Sequence, residues 1–219
     1  MNKDLLNNNY LVIPNFFNTT RAIEYGKALE DQCKIMGVEV DPDLQMSHNK
    51  DRPGYLYAPF TRTLLSATNF LSCITQIPLL PTYSYARVYK QGNTLPQHSD
   101  RESCEVSVTL CLAEHGPDWP IYFTTPSKKV AEVCLHPGDA VVYLGMRSVH
   151  WRNANPVSDY AQVFFHYVNA LGPHADRAFE FTKYRPLVTD NMDSFSNGDE
   201  SVFSCSSDKI LVGLNRDRD

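Results

Sequence analysis

From Thr82 onward the chain is a succession of short runs rich in β-branched and aromatic residues, cut by turn residues. The runs fall at 83–89, 95–100, 104–112, 121–125, 130–135, 140–144, 149–152 and 161–168. Between them stand Gln91-Gly92-Asn93, Glu114-His115-Gly116-Pro117, Pro126-Ser127, His136-Pro137-Gly138-Asp139 and a polar stretch at 153–158. Short strands at regular spacing argue a sandwich or barrel. Eight of them match the strand count of a jelly roll. The expected fold is therefore mainly β with flanking helices: a double-stranded β-helix, cupin-like, with its core at about 82–170.

Ahead of this region, Tyr10-Leu11-Val12-Ile13-Pro14 suits a short strand. Asn18-Thr19-Thr20 offers N-cap residues. From Arg21 to about Met36, Ala22, Tyr25, Leu29, Cys33 and Met36 form one apolar helical stripe, widened by Ala28, with Gly37 as a stop. A second helix is expected over 61–77, with Leu64, Ala67, Phe70, Leu71 and Ile74 on one side and Pro78 and Pro81 ending it. Both helices should pack outside one sheet. The stretch 38–57 is polar and proline-punctuated, and reads as loop. Residues 190–219 are rich in Ser, Asn and Asp and read as a polar C-terminal extension, leaving 1–189 as a single domain without repeats.

The 219 residues are long enough for one substantial core, and a 42% hydrophobic, 21% charged composition is ordinary for a soluble protein. A net charge of -5 fits poorly with binding duplex DNA through its phosphates, although a local basic groove would escape such a count. No apolar run is long enough to span a bilayer, and the first residues lack signal-peptide character, so a cytoplasmic location is expected. The six cysteines are scattered without a CxxC pair, which suggests free thiols.

The chemistry is concentrated in His98-Ser99-Asp100. On a strand, residues two apart share a face, so an imidazole and a carboxylate can reach one point in space. His150, in a later run, is a third candidate ligand. Two histidines and one carboxylate on one face of an octahedron leave open positions opposite, an arrangement that marks non-haem Fe(II) oxygenases. An HxD pair alone is a weak signal; its place after a strand and a glycine turn strengthens it. His48, His115, His136 and His174 fall in loops or turns and are expected at the surface.

The segment Tyr85-Ala86-Arg87-Val88-Tyr89-Lys90-Gln91-Gly92-Asn93-Thr94-Leu95-Pro96-Gln97-His98-Ser99-Asp100 resembles the strand, glycine turn and HxD of prolyl-4-hydroxylase-like 2-oxoglutarate oxygenases. Leu135-His136-Pro137-Gly138-Asp139-Ala140 is similar to their Pro-Gly-Asp turn, His150 and the apolar run after it to the end of their core, and Tyr10 to Phe17 to its opening. The resemblance implies a dioxygenase, most simply a hydroxylase, that uses Fe(II), 2-oxoglutarate and dioxygen. Its metal ligands would be His98, Asp100 and His150. Asp100 argues against halogenation, because related halogenases lack this carboxylate. The acceptor would be a protein or peptide side chain or a small molecule.

The sequence departs from that family where a cation usually holds the far carboxylate of 2-oxoglutarate: Ser158-Asp159-Tyr160-Ala161-Gln162 contains none. Arg152, two residues past His150, is the first-choice replacement and Arg87 the second. Tyr89 and Gln162 are further candidates for contacts to the co-substrate. Gln162 and His166 share parity and face either the cavity or solvent. Arg101 either meets substrate or pairs with Glu102 or Glu105. Trp119 and Trp151 either stack on substrate or pack in the core. The loop with Arg52, Tyr55 and Tyr57 is a candidate lid. Three alternatives stay open: a cupin-like metal protein that does not use 2-oxoglutarate, a hydrolytic zinc site, and a non-catalytic jelly-roll binding module.

Overall fold

A computed structural model describes residues 1–35, 58–156 and 159–180; the candidate lid residues and the 190–219 extension lie outside the described residues. The described strands make two antiparallel sheets. The larger has five strands in the order β1 (Tyr10–Ile13), β7 (Ala140–Tyr143), β4 (Val106–Glu114), β9 (Asp159–Asn169), β2 (Leu79–Lys90). The smaller has four, in the order β3 (Leu95–His98), β8 (His150–Arg152), β5 (Ile121–Thr124), β6 (Val130–Val133). The two sheets face one another as a jelly roll, as the sequence led us to expect.

The long strands are buried on both faces, and their alternation sorts two cores. Val106, Val108, Leu110 and Leu112 of β4, with Val163, Phe165 and Tyr167 of β9, face the helices. The intervening Cys111, Val141, Tyr143 and Tyr160 face the smaller sheet, where they meet Trp119, Ile121 and Phe123. This is the period-two pattern of a strand with a different layer on each side.

The helical layer comprises a short α1 (Lys3–Asn8), capped by the Asn2 side chain, then α2 (Thr19–Ile35), α3 (Ala58–Ser66) and α4 (Thr68–Thr75). Ala22, Tyr25 and Leu29 of α2 are buried, as are Leu64, Ala67, Phe70, Leu71 and Ile74. The second stripe is therefore correct, but it lies on two helices and not one. Hydroxyls explain the interruption: Ser66 donates to the Thr63 carbonyl (3.3 Å) and Thr68 to that of Leu64 (2.9 Å). Such back-bonding competes with the helical ladder and bends it.

The Pro-Gly-Asp turn ties the N-terminal strand to the sheet. Asp139 Oδ1 accepts from the Asn15 amide (2.9 Å), and the Gly138 carbonyl accepts from that of Phe17 (3.0 Å). Gly138 has φ +95°, and a Cβ there would lie 2.6 Å from the Phe17 carbonyl, so the turn requires glycine. Cys104 and Cys111 are buried free thiols. Cys73 is disulfide-bonded, which corrects the expectation of free cysteines; absence of a CxxC pair does not prevent pairing between distant segments. Among the described residues no helix is long and apolar enough to cross a membrane.

Candidate metal centre

His98 ends β3 directly opposite His150 of β8. Opposed residues of an antiparallel pair project on one face, and the two imidazole centroids stand 4.3 Å apart. Asp100 reaches the same point by a different route from the one expected. The strand stops at His98, and Asp100 lies in the following loop, where its amide donates to the Gly145 carbonyl (2.9 Å). Its Oδ1 is 3.5 Å from His98 Nε2 and 3.6 Å from His150 Nε2. All three ligand atoms fall within 4.8 Å of one another.

The second nitrogen of each imidazole is committed. His98 Nδ1 donates to the Pro96 carbonyl (2.7 Å) and His150 Nδ1 to that of Ser148 (2.9 Å). A carbonyl only accepts, so each Nδ1 carries a proton and each Nε2 is turned toward Asp100. Two lone pairs aimed at one carboxylate oxygen repel unless a cation or proton lies between them. Ligands about 2.1 Å from an ion sit roughly 3–3.5 Å from one another, so the donor set fits a transition metal. Burial alone would raise the Asp100 carboxyl; the His98 hydrogen bond, the nearby His150 and His166 and the Ser107 hydroxyl outweigh it and hold it below its usual range. Hydrogen bonding to Asp100 raises His98, whereas burial lowers His150, which packs against Phe123 and Tyr143.

The three residues line a cavity of about 280 Å³ between the sheets. Its wall is the inward face of β2, where Tyr83, Tyr85, Arg87 and Tyr89 alternate, joined by Phe164 and His166 of β9. Cross-strand pairs bring rings together there: Tyr85 stacks on Phe164 (5.1 Å) and Tyr83 lies against His166 (4.6 Å).

Arg152, the first-choice cation, does not line this cavity. It shares the face of His150 but lies farther along the interior, only 2% exposed. Its guanidinium donates to the Trp119 carbonyl, Tyr160 Oη (3.2 Å) and Gln162 Oε1 (3.1 Å), between the Trp119 and Tyr160 rings. It plugs one end of the barrel. Arg87, the second choice, does line the cavity, with its guanidinium 4.1 Å from the Tyr89 ring centroid. Tyr89 also lines it, and its hydroxyl accepts from Gln162 Nε2 (3.4 Å). Gln162 is fully buried behind Tyr89 and spans the two arginine environments. His166 and Gln162 both face inward, while Val163, Phe165 and Tyr167 fill the helix-side core.

Arg101 lies at the cavity and makes a two-pronged pair with Glu180 (3.2 Å on both arms), not with Glu102 or Glu105. Trp119 is a core residue; Trp151 stacks on Tyr122 on the outer face. His115 and His136 are at the surface, paired with Glu30 (2.9 Å) and Glu114 (2.7 Å). Sequence reasoning missed Ser107, Tyr143 and Gly145. Ser107 carried a signal, being a small polar residue at an inward position between Val106 and Val108.

No family model matches the chain, and no curated protein does. Solved structures do resemble it. The non-heme alpha ketoglutarate dependent carbocyclase SnoK from nogalamycin biosynthesis shares 16% identity over 88% of each chain, with a TM-score of 0.59. HygX from Streptomyces hygroscopicus, solved with nickel and 2-oxoglutarate bound, shares 15% identity over 76% of this chain and 85% of its own, at 0.56. A Pseudomonas putida prolyl-4-hydroxylase shares 15% over 76% of this chain and 96% of its own, also at 0.56. The likeness extends over three quarters or more of this chain, and the fold is thus one that these solved structures share.

Proposed function

We propose that this protein is an Fe(II)- and 2-oxoglutarate-dependent dioxygenase, most simply a hydroxylase acting on a protein or peptide side chain or on a small molecule. The observation that carries the reading is the convergence of His98 Nε2, His150 Nε2 and Asp100 Oδ1 in a cavity that also presents a buried cation, Arg87. His98, Asp100 and His150 hold the metal. Arg87 meets the far carboxylate of 2-oxoglutarate, a planar guanidinium being suited to two-pronged contact. Tyr89 supplies a phenol beside it, oriented by Gln162.

When bound, the metal and 2-oxo acid supply the oxidation: 2-oxoglutarate and dioxygen become succinate and carbon dioxide, with one oxygen atom delivered to the acceptor. The chain's own work is placement. The Pro96 and Ser148 carbonyls engage the two Nδ1 atoms and leave the Nε2 atoms aimed inward. The ring-lined wall leaves room for an acceptor beside the metal. HygX, solved with nickel and 2-oxoglutarate on this fold, supports the pairing of metal and 2-oxo acid.

A cupin-like metal protein that does not use 2-oxoglutarate is the second reading, favoured by the lack of a cation at the start of β9. Calorimetry with Mn(II) and then 2-oxoglutarate separates the two. We expect one metal per chain, lost in His98→Ala, and 2-oxoglutarate binding that requires the metal and weakens in Arg87→Ala. Metal binding with no response to 2-oxoglutarate favours the second reading, and no metal binding favours a binding module.

A further inference from the structure

The carboxylate of Asp100 has two oxygens, and only Oδ1 lies between the histidine nitrogens. Oδ2 is held elsewhere, by the Ser107 hydroxyl at 2.7 Å. Ser107 sits on β4 directly opposite His166 of β9, and its Oγ is also 2.9 Å from His166 Nδ1. Both residues are buried, Ser107 completely and His166 at 5% exposure. A hydroxyl has one proton to give, and an ionised carboxylate only accepts. The Ser107 proton therefore goes to Asp100 Oδ2, and the Ser107 oxygen accepts from His166, whose Nδ1 must carry a proton.

We propose that His166 and Ser107 are positioning residues for the metal carboxylate, linked in the order His166 Nδ1–H to Ser107 Oγ–H to Asp100 Oδ2. The relay fixes the rotation of the carboxylate, so that Oδ1 alone is offered to the metal. Asp100 needs such a device because it stands beyond the end of β3 and no strand ladder orients it. Gly145 completes the seat from behind, where a Cβ would overlap Oδ2 and lie 2.9 Å from the Ser107 hydroxyl. A second metal in this region is the competing use of the same residues, since Asp100, Cys104 and His166 also fall within 4.8 Å. The Ser107 hydroxyl already bridges Asp100 and His166, and the Cys104 thiol is engaged by the Tyr83 hydroxyl at 3.1 Å. The relay accounts for all of these contacts.

This inference rests on the proposed metal centre, and its test separates the two. In the metal-free full chain, nitrogen-15 imidazole spectra should show His166 protonated at Nδ1; an Nε2–H-only tautomer overturns the relay without reference to any metal. Co(II) titration of variants supplies the second arm. Ser107→Ala and His166→Phe should each weaken Co(II) about tenfold, the scale expected for loss of an outer-shell partner, and shift its visible bands. His166→Asn, which keeps an amide donor near the Nδ1 position, should restore both. Unchanged Co(II) affinity and bands in Ser107→Ala and His166→Phe overturn the proposal. A wild-type chain that binds no Co(II) overturns the metal centre, while the tautomer still decides the relay.

Discussion

Gly145 stands where a side chain cannot, because a Cβ would overlap both Asp100 Oδ2 and the Cys104 carbonyl. Gly145→Ala should therefore displace the Asp100 loop, costing about 1–3 kcal/mol by overpacking and weakening Co(II) binding together with the melting temperature. The two interior arginines should separate cleanly. Arg152→Ala strands the buried Trp119 carbonyl and Gln162; a loss of about 1–3 kcal/mol for each group left unsatisfied is expected in urea unfolding. Arg87→Ala should cost less stability and instead raise the 2-oxoglutarate concentration needed for half-saturation, roughly tenfold or more for a lost charge-assisted contact. The candidate ligands could be picked out in the sequence because an HxD pair is a local pattern and His150 stands in a later strand-like run; the structure brings the three side chains together. Which of Arg152 and Arg87 lines the cavity could not be read in the sequence, because strand parity gives the face of a residue and not its position along the barrel.

Helix α2 crosses the large sheet at Gly26, where an added Cβ would lie 2.7 Å from Ala113 Cβ on β4. At an open helical site Gly→Ala stabilises by about 1 kcal/mol. Here the sign should reverse: Gly26→Ala is expected to lower stability, and Ala113→Gly in the same chain to restore much of the loss, a coupling read from a double-mutant cycle. The His136–Glu114 pair joins the end of β4 to the turn before β7. Hydrogen bonding to Glu114 raises the His136 pKa above its ordinary value of 6.5. A raised folded-state value means that the pair's contribution is fully present below about 6.5 and disappears as pH climbs through the folded value. Because the imidazole is half exposed, the effect should stay below about 1 kcal/mol. His136→Gln should thus lower stability at pH 5.5 and leave it unchanged at pH 8.5 in paired urea titrations. At this scale the sequence showed nearly every strand and both helical stripes, since periodicity is local. It missed the break between α3 and α4 and the end of β3 at His98, which depend on hydroxyl back-bonding and on the Gly145 contact.

Among the described residues, one end of the barrel is packed and the other holds the cavity. Trp119, Tyr160 and Arg152 fill the packed end, while the alternating Tyr83, Tyr85, Arg87 and Tyr89 of β2 line the cavity beside the histidines. Jelly-roll architecture was readable from the number and spacing of the runs. Which inward residues plug and which line a cavity was not, because it depends on the register of β2 against β9 and on what faces them across the sheets. We propose that this cavity holds a metal and 2-oxoglutarate together. Anaerobic addition of Fe(II) and then 2-oxoglutarate tests it most directly. A visible charge-transfer band that needs both additions and is absent in His98→Ala is expected. Iron binding with no band on adding 2-oxoglutarate would contradict it.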